Sequence, residues 1–255
     1  PKLWEFHLSY SDMELEPKDY LNGPYQAELV VHAPELFAGS KLMDLATPDE
    51  AYRRESIRET QRVIDITRNL KRFFPNSQRP PIVANIGGFT MDAPLPASQI
   101  NGYYKRFAES LAELDTEGVE LIPQTMAPFP WHFGGQRYQN IFVKADEIVE
   151  WCSKLNLRMC FDTSHTRLTC NHLGLDFYEF AEKIAPHSAH LHLGDARGLN
   201  GEGLQVGEGE IDFSRLGEIL KRGCPAATFI PEIWQGHKNG GEGFWVALER
   251  LEGTL

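Results

Sequence analysis

The sequence predicts an α/β chain folded as a parallel (β/α)8 TIM barrel, and three observations carry that expectation. Short apolar runs alternate with amphipathic helical segments along the chain. The runs are rich in Val, Ile, Leu and Phe with little polar alternation, as strands buried on both faces of a parallel sheet are. The length, 255 residues, is close to the usual size of one such barrel. No low-complexity linker or internal repeat divides the chain, so a single domain over residues 1–255 is expected.

The strand-like runs are LWEFHL (3–8), AELVVHAP (27–34), PIVANIGG (81–88), VELIPQT (119–125), LRMCFDTSH (157–165), SAHLHLGD (188–195) and ATFIPEIW (227–234). Helical stripes fall between them. Val63, Ile66, Leu70 and Phe73 share one face, as do Ile100, Tyr104, Phe107, Leu111 and Leu114, and Ile141, Ala145, Ile148, Cys152 and Leu155. Shorter helices are expected over 176–184, 212–221 and 242–251. Such alternation means parallel strands joined by crossover helices; a doubly wound open sheet is the structural alternative. Seven runs are one short of a closed eight-stranded barrel. The chain opens on Pro1 and turns strand-like at once. The remaining strand is therefore expected upstream of Pro1, the chain being either a fragment excised from a longer polypeptide or one whose start has been removed.

Asp and Glu outnumber Lys and Arg, giving a formal net charge of −11, which argues against a nucleic-acid partner. Cys152, Cys160, Cys170 and Cys224 form no CxxC pair or metal-finger spacing and read as reduced thiols of a cytoplasmic protein. No apolar run reaches the roughly 18 residues of a membrane span.

In a parallel barrel the chemistry gathers at the C-terminal strand ends. There the runs carry His32, Asn85, Gln124, Asp162 with His165, His190 with His192 and Asp195, and Glu232. Residues two apart on a strand share a face, so His190 and His192 point the same way. Carboxylates and an imidazole turned into a barrel need a partner, and a divalent metal is the simplest one. Asp, Glu and His suit Mn, Co, Zn or Mg without choosing among them.

The segments DTSH (162–165), HLHLGD (190–195), VGEGEIDF (206–213) and PEIW (231–234), taken together, resemble the xylose-isomerase-like TIM barrel superfamily. That group includes sugar phosphate isomerases and epimerases, inosose dehydratase and the family 2 AP endonucleases of endonuclease IV type. The resemblance runs from about Ala27 to the C-terminus. It implies one divalent metal ion held by Asp162, His192 and Glu232 together with position 124, where the family has Glu and this chain has Gln124. The endonuclease branch binds three zinc ions. Of its further ligand positions, His32 and His165 match, whereas Asn85, Gly201 and Gly203 do not, so two of the three zinc sites are broken.

The resemblance further implies proton transfer next to a carbonyl. Glu232 is the expected base. Gln124 cannot titrate, so His165 or His32 is the candidate for the second proton-transfer group. A dehydratase would be served by the same pair. Arg197 is placed to hold a carboxylate or phosphate, with a solvated loop arginine as the alternative. Trp131 and Trp234 are candidates to stack on a sugar ring, and His190 to touch substrate, with core packing as the alternative for all three. Glu5 and His7 share a face of the first run and could also reach the mouth. The glycine-rich stretch 194–209 lacks the ending of a P-loop and reads as a mobile mouth loop. Residues 125–140 read as a substrate lid, and 34–52 as a second long loop over the mouth.

These residues suggest a metal-dependent isomerase, epimerase or dehydratase of a small sugar, polyol or keto acid, with a homo-oligomer or a fused partner domain as the expected associations. The alternatives are a non-catalytic sugar-binding barrel fused to another enzyme, which Gln124 favours, and an endonuclease IV-like hydrolase.

Overall fold

The parallel strands form where the sequence places its apolar runs. The computed structural model describes residues 2–132 and 135–254. Strands β1 (Leu3–His7), β2 (Glu28–His32), β3 (Pro81–Ala84) and β4 (Glu120–Pro123) pair in that order as one parallel sheet. Strands β5 (Met159–Asp162), β6 (Ser188–Leu193) and β7 (Thr228–Pro231) form a second. The α-helices are α1 (Glu50–Lys71), α2 (Ala97–Glu113), α3 (Ala145–Leu155), α4 (Thr163–Leu173), α5 (Phe177–Ile184), α6 (Phe213–Gly223) and α7 (Lys238–Leu251). The chain groups into two compact units, residues 1–89 with 95–123, and residues 90–94 with 124–255.

In the first unit, Leu29, Val30, Val31, Ile82, Val83 and Ala84 are buried. That is why these runs read as continuously apolar. Asp49 caps α1 by accepting from the Ala51 and Tyr52 amides, satisfying donors that the first turn cannot. The buried face of α1 runs through Ile57, Thr60, Val63, Ile64, Thr67 and Leu70. Beyond its end Phe74 is fully buried while Phe73 is half-buried. The apolar period alone places Phe73 on this face. The true stripe is displaced because threonines share it. Between β1 and β2 the chain makes only short 3-10 turns, at Ser11–Glu14 and Pro17–Asp19.

In the second unit, β5 and β6 are buried along their whole length. Helix α4 starts at Thr163, directly after β5, where the sequence suggests a continuing strand. Its side chains explain the difference: it buries Thr163, Ser164, Thr166, Thr169 and Cys170 rather than a run of large aliphatics. Ile141 is buried but precedes α3, whose N-cap is Lys144. The first turn of α7 holds Asn239, Gly240 and Gly241 at positive φ, so its regular part begins near 242, as the apolar period predicts.

Candidate functional site

The second unit assembles its polar side chains at the ends of adjacent strands. Parallel pairing places Asp162, the last residue of β5, opposite His192 on β6. His192 in turn lies opposite Ile230 of β7, and Glu232 follows that strand, its amide bonded to the Leu193 carbonyl at 3.0 Å. Gln124 bridges to Cys160 of β5. Four residues far apart in sequence therefore converge. His192 Nδ1 lies 2.6 Å from Glu232 Oε2 and 3.9 Å from Asp162 Oδ2. Gln124 Nε2 donates to Asp162 Oδ2 at 2.9 Å and lies 3.3 Å from His192 Nδ1. Ligand atoms of Asp162, His192 and Glu232 all fall within 4.8 Å of one another.

Asp162 also caps α4, accepting from the His165 amide at 2.7 Å. That cap turns the His165 ring back over the carboxylate, with Nδ1 3.5 Å from Asp162 Oδ2. His165 Nδ1 lies 2.9 Å from the Thr125 carbonyl and Nε2 3.2 Å from Glu202 Oε1. A carbonyl and a carboxylate only accept, so each ring nitrogen faces an acceptor, an arrangement that favours the protonated ring. Burial opposes that charge, but Asp162 and Glu202 outweigh it and hold the His165 pKa well above the usual histidine value. Partial burial acts to raise Glu202 too, yet the His165 ring beside it holds its carboxyl below the ordinary range. For Asp162 burial wins, and its carboxyl is pushed up despite His165.

Sequence patterning assigns no role to Glu202, Thr125 or Thr163. Glu202 sits on a hairpin, Asp195–Arg197 paired with Gly201–Leu204. The stretch expected to be a mobile loop is thus tied down. Asp195 is fully buried and accepts from the amides of Ala196 (2.8 Å), Ile211 (3.0 Å), Gly207 (3.1 Å) and Gly209 (2.8 Å). Its sequence signals are its place at the end of the sixth run and in the H-x-x-D segment. Thr163 Oγ1 donates to the Gly194 carbonyl at 2.7 Å, and Thr125 Oγ1 accepts from the Asp162 amide at 2.9 Å. At Gly194 a Cβ would stand 2.5 Å from the Glu232 carbonyl, so only glycine admits that approach.

The other expected residues lie as follows. His190 is fully buried, bonds Thr228 Oγ1 at 2.7 Å and packs edge-on against His192 at 5.2 Å between ring centroids. Arg197 is exposed, with Nη2 donating to the Glu208 carbonyl at 2.5 Å. Trp234 follows β7 and is 76% exposed. Trp131 lies on a short strand, Trp131–His132, but its side chain is outside the described residues, as is the 133–134 tip of the expected lid. His32 belongs to the first unit. There it stacks on His7 at 4.8 Å between centroids, and His7 Nε2 pairs with Glu5 at 2.9 Å. Asn85 is also in the first unit, its Oδ1 buried with no hydrogen-bond partner among the described residues.

The sequence matches the xylose isomerase-like TIM barrel family over residues 4–251. A comparison with curated proteins finds no match. Among solved structures, a D-tagatose 3-epimerase-like protein superposes with a TM-score of 0.63 at 20% identity, covering 98% of this chain and 91% of that one. An L-ribulose 3-epimerase gives 0.60 at 15% identity, covering 98% and 86%. Endonuclease IV from Thermus thermophilus also gives 0.60 at 15%, covering 99% of each chain. At these identities the likeness is one of fold. With the family match spanning nearly the whole sequence, the chain belongs to the xylose isomerase-like TIM barrel family.

Proposed function

We propose that this protein is a metal-dependent isomerase or epimerase of a small sugar, polyol or keto acid, moving a proton next to a carbonyl. The observation that carries the reading is the convergence of Asp162, His192 and Glu232 within 4.8 Å. The fold shared with proteins described as sugar 3-epimerases supports it. Two carboxylates and an imidazole with ligand atoms this close are a donor set that would hold one divalent ion. The donor chemistry fits as well: His192 Nδ1 cannot both donate to Glu232 and accept from Gln124, and a cation at the shared point removes that conflict. Gln124 would complete the set by turning its amide oxygen inward. When bound, the metal supplies Lewis-acid polarisation of the substrate carbonyl.

The chain's own residues move the protons. Glu232 removes the proton from the carbon beside the carbonyl, and the released electron pair forms the carbon–carbon double bond of an enediol. The carbonyl oxygen takes its proton from His165. For the isomer, Glu232 gives its proton to the neighbouring carbon while the hydroxyl on that carbon's partner returns a proton to His165 and becomes the new carbonyl; for the epimer, water protonates the other face, Glu232 releases its proton to water, and His165 takes back the proton of the oxygen. Gln124, which cannot titrate, is the observation that keeps a second reading open: His165 protonating a departing hydroxyl, a dehydratase. The test is deuterium uptake from heavy water by ketoses and inososes, followed by proton NMR, with wild type and Glu232→Gln supplied with Mn²⁺. Uptake in the wild type that disappears in the variant supports the reading. Full uptake in Glu232→Gln, or none in the wild type with any substrate, would sink it.

A further inference from the structure

We propose that Glu202 is a positioning residue that holds the His165 ring, delivered to it by the Asp195–Leu204 hairpin. The consequence for turnover rests on the proton-transfer reading above; the contact itself does not. His165 is clamped at both nitrogens, by the Thr125 carbonyl at 2.9 Å and by Glu202 at 3.2 Å. Only the second clamp is a side chain, so only it can be removed without moving the backbone of β5 or its neighbours.

The backbone beside Glu202 is pinned from two sides. The Gly203 amide donates to Ser164 Oγ at 2.8 Å, on the first turn of α4, and the Gly203 carbonyl accepts from the Trp234 amide at 2.8 Å, two residues past Glu232. Gly203 has φ +63, and a Cβ there would lie 3.1 Å from the Trp234 nitrogen. The sequence G-E-G fits this approach: Gly203 lies where the strand passes between α4 and the 232–234 turn, a Cβ on Gly201 would stand 2.7 Å from the Arg197 carbonyl across the hairpin, and the carboxylate sits between them. A third carboxylate near Asp162 and Glu232 needs a partner, and His165 Nε2, 3.2 Å from Glu202 Oε1, is the one it meets. Glu202 is half-exposed and adds nothing to the core. Ring orientation is the role its geometry fills, as outer carboxylates do for metal-site histidines.

The experiment uses the whole chain with ¹⁵N-labelled histidine and long-range ¹H–¹⁵N spectra, the His165 signals being assigned with His165→Asn. The wild type shows a Glu202-dependent, exchange-protected Nε2 proton. Glu202→Ala loses that protection, Glu202→Gln, which keeps an acceptor, restores much of it, and bound metal is the same in all three. With a substrate in hand, Glu202→Ala lowers kcat about 10–100-fold while KM stays within about twofold. Unchanged His165 signals in a folded Glu202→Ala protein would overturn the proposal. If no substrate takes up deuterium, the reaction assignment fails alone, because the ring signals still decide the positioning role.

Discussion

Asp195 offers a graded perturbation of the hairpin that carries Glu202. Its two oxygens divide their work. Oδ1 accepts from Ala196 and Ile211, both buried, and Oδ2 accepts from Gly207, which is exposed, and Gly209, which is half-buried. A hydrogen bond to a charged group contributes about 1.5–3 kcal/mol, and an orphaned buried donor forfeits it in full. Asp195→Ala strands the two buried amides and should cost about 3–5 kcal/mol. Asp195→Asn keeps an acceptor at Oδ1, while the two glycine amides can turn to water, so its cost should be about 1–2 kcal/mol. Urea unfolding gives both numbers from the midpoints, and hydrogen exchange at Ala196, Gly207, Gly209 and Ile211 shows which amides were released. If the two variants were equally stable, or if Asp195→Ala matched the wild type, the division between the oxygens would be wrong.

Other perturbations test other parts of the account. In the first unit, burial pushes the Asp44 carboxyl up to about 7, against hydrogen bonds from the Gly88 and Ala46 amides. The folded pKa lies above the unfolded one, so the stability of the neutral form is complete below about pH 4 and is lost as pH rises through 7. At about 1.4 kcal/mol per pKa unit the upper bound is about 4 kcal/mol. Asp44→Asn should remove that slope, and urea midpoints at pH 5 and 8 that fall in parallel in both proteins would contradict it. Gly194→Ala forces a methyl against the Glu232 carbonyl, and calorimetry should show Mn²⁺ affinity reduced about 10–100-fold. Thr163→Val cuts the tie between α4 and Gly194, and denaturant unfolding should report a loss of about 1–3 kcal/mol.

The strand ends are legible because buried parallel strands announce themselves as apolar runs, and a polar residue closing such a run stands out. Asp162, His192 and Glu232 stand out that way, and adjacent registers bring them together. Helix α4 is not legible, since Thr and Ser on its inner face bury through hydrogen bonds rather than through apolar period. The α1 stripe slips by one residue at Phe73 for a related reason. Glu202 is hidden for a different one. It meets a histidine 37 positions away, through a hairpin whose Gly201 and Gly203 look like flexibility in sequence and turn out to be close approaches. Asp195 shows as a polar residue closing a run and as one letter of a motif, with nothing to foretell the four amide contacts that organise the segment.

The proposed reaction depends on Asp162, His192 and Glu232, with Gln124, holding one divalent ion. Elemental mass spectrometry of the purified chain, incubated with Mn²⁺, Co²⁺ or Zn²⁺ and desalted beside an Asp162→Ala control, tests it most directly. About one equivalent of metal is expected in the wild type, and its loss in the control. A metal-free wild type, or equal metal in both proteins, would contradict it.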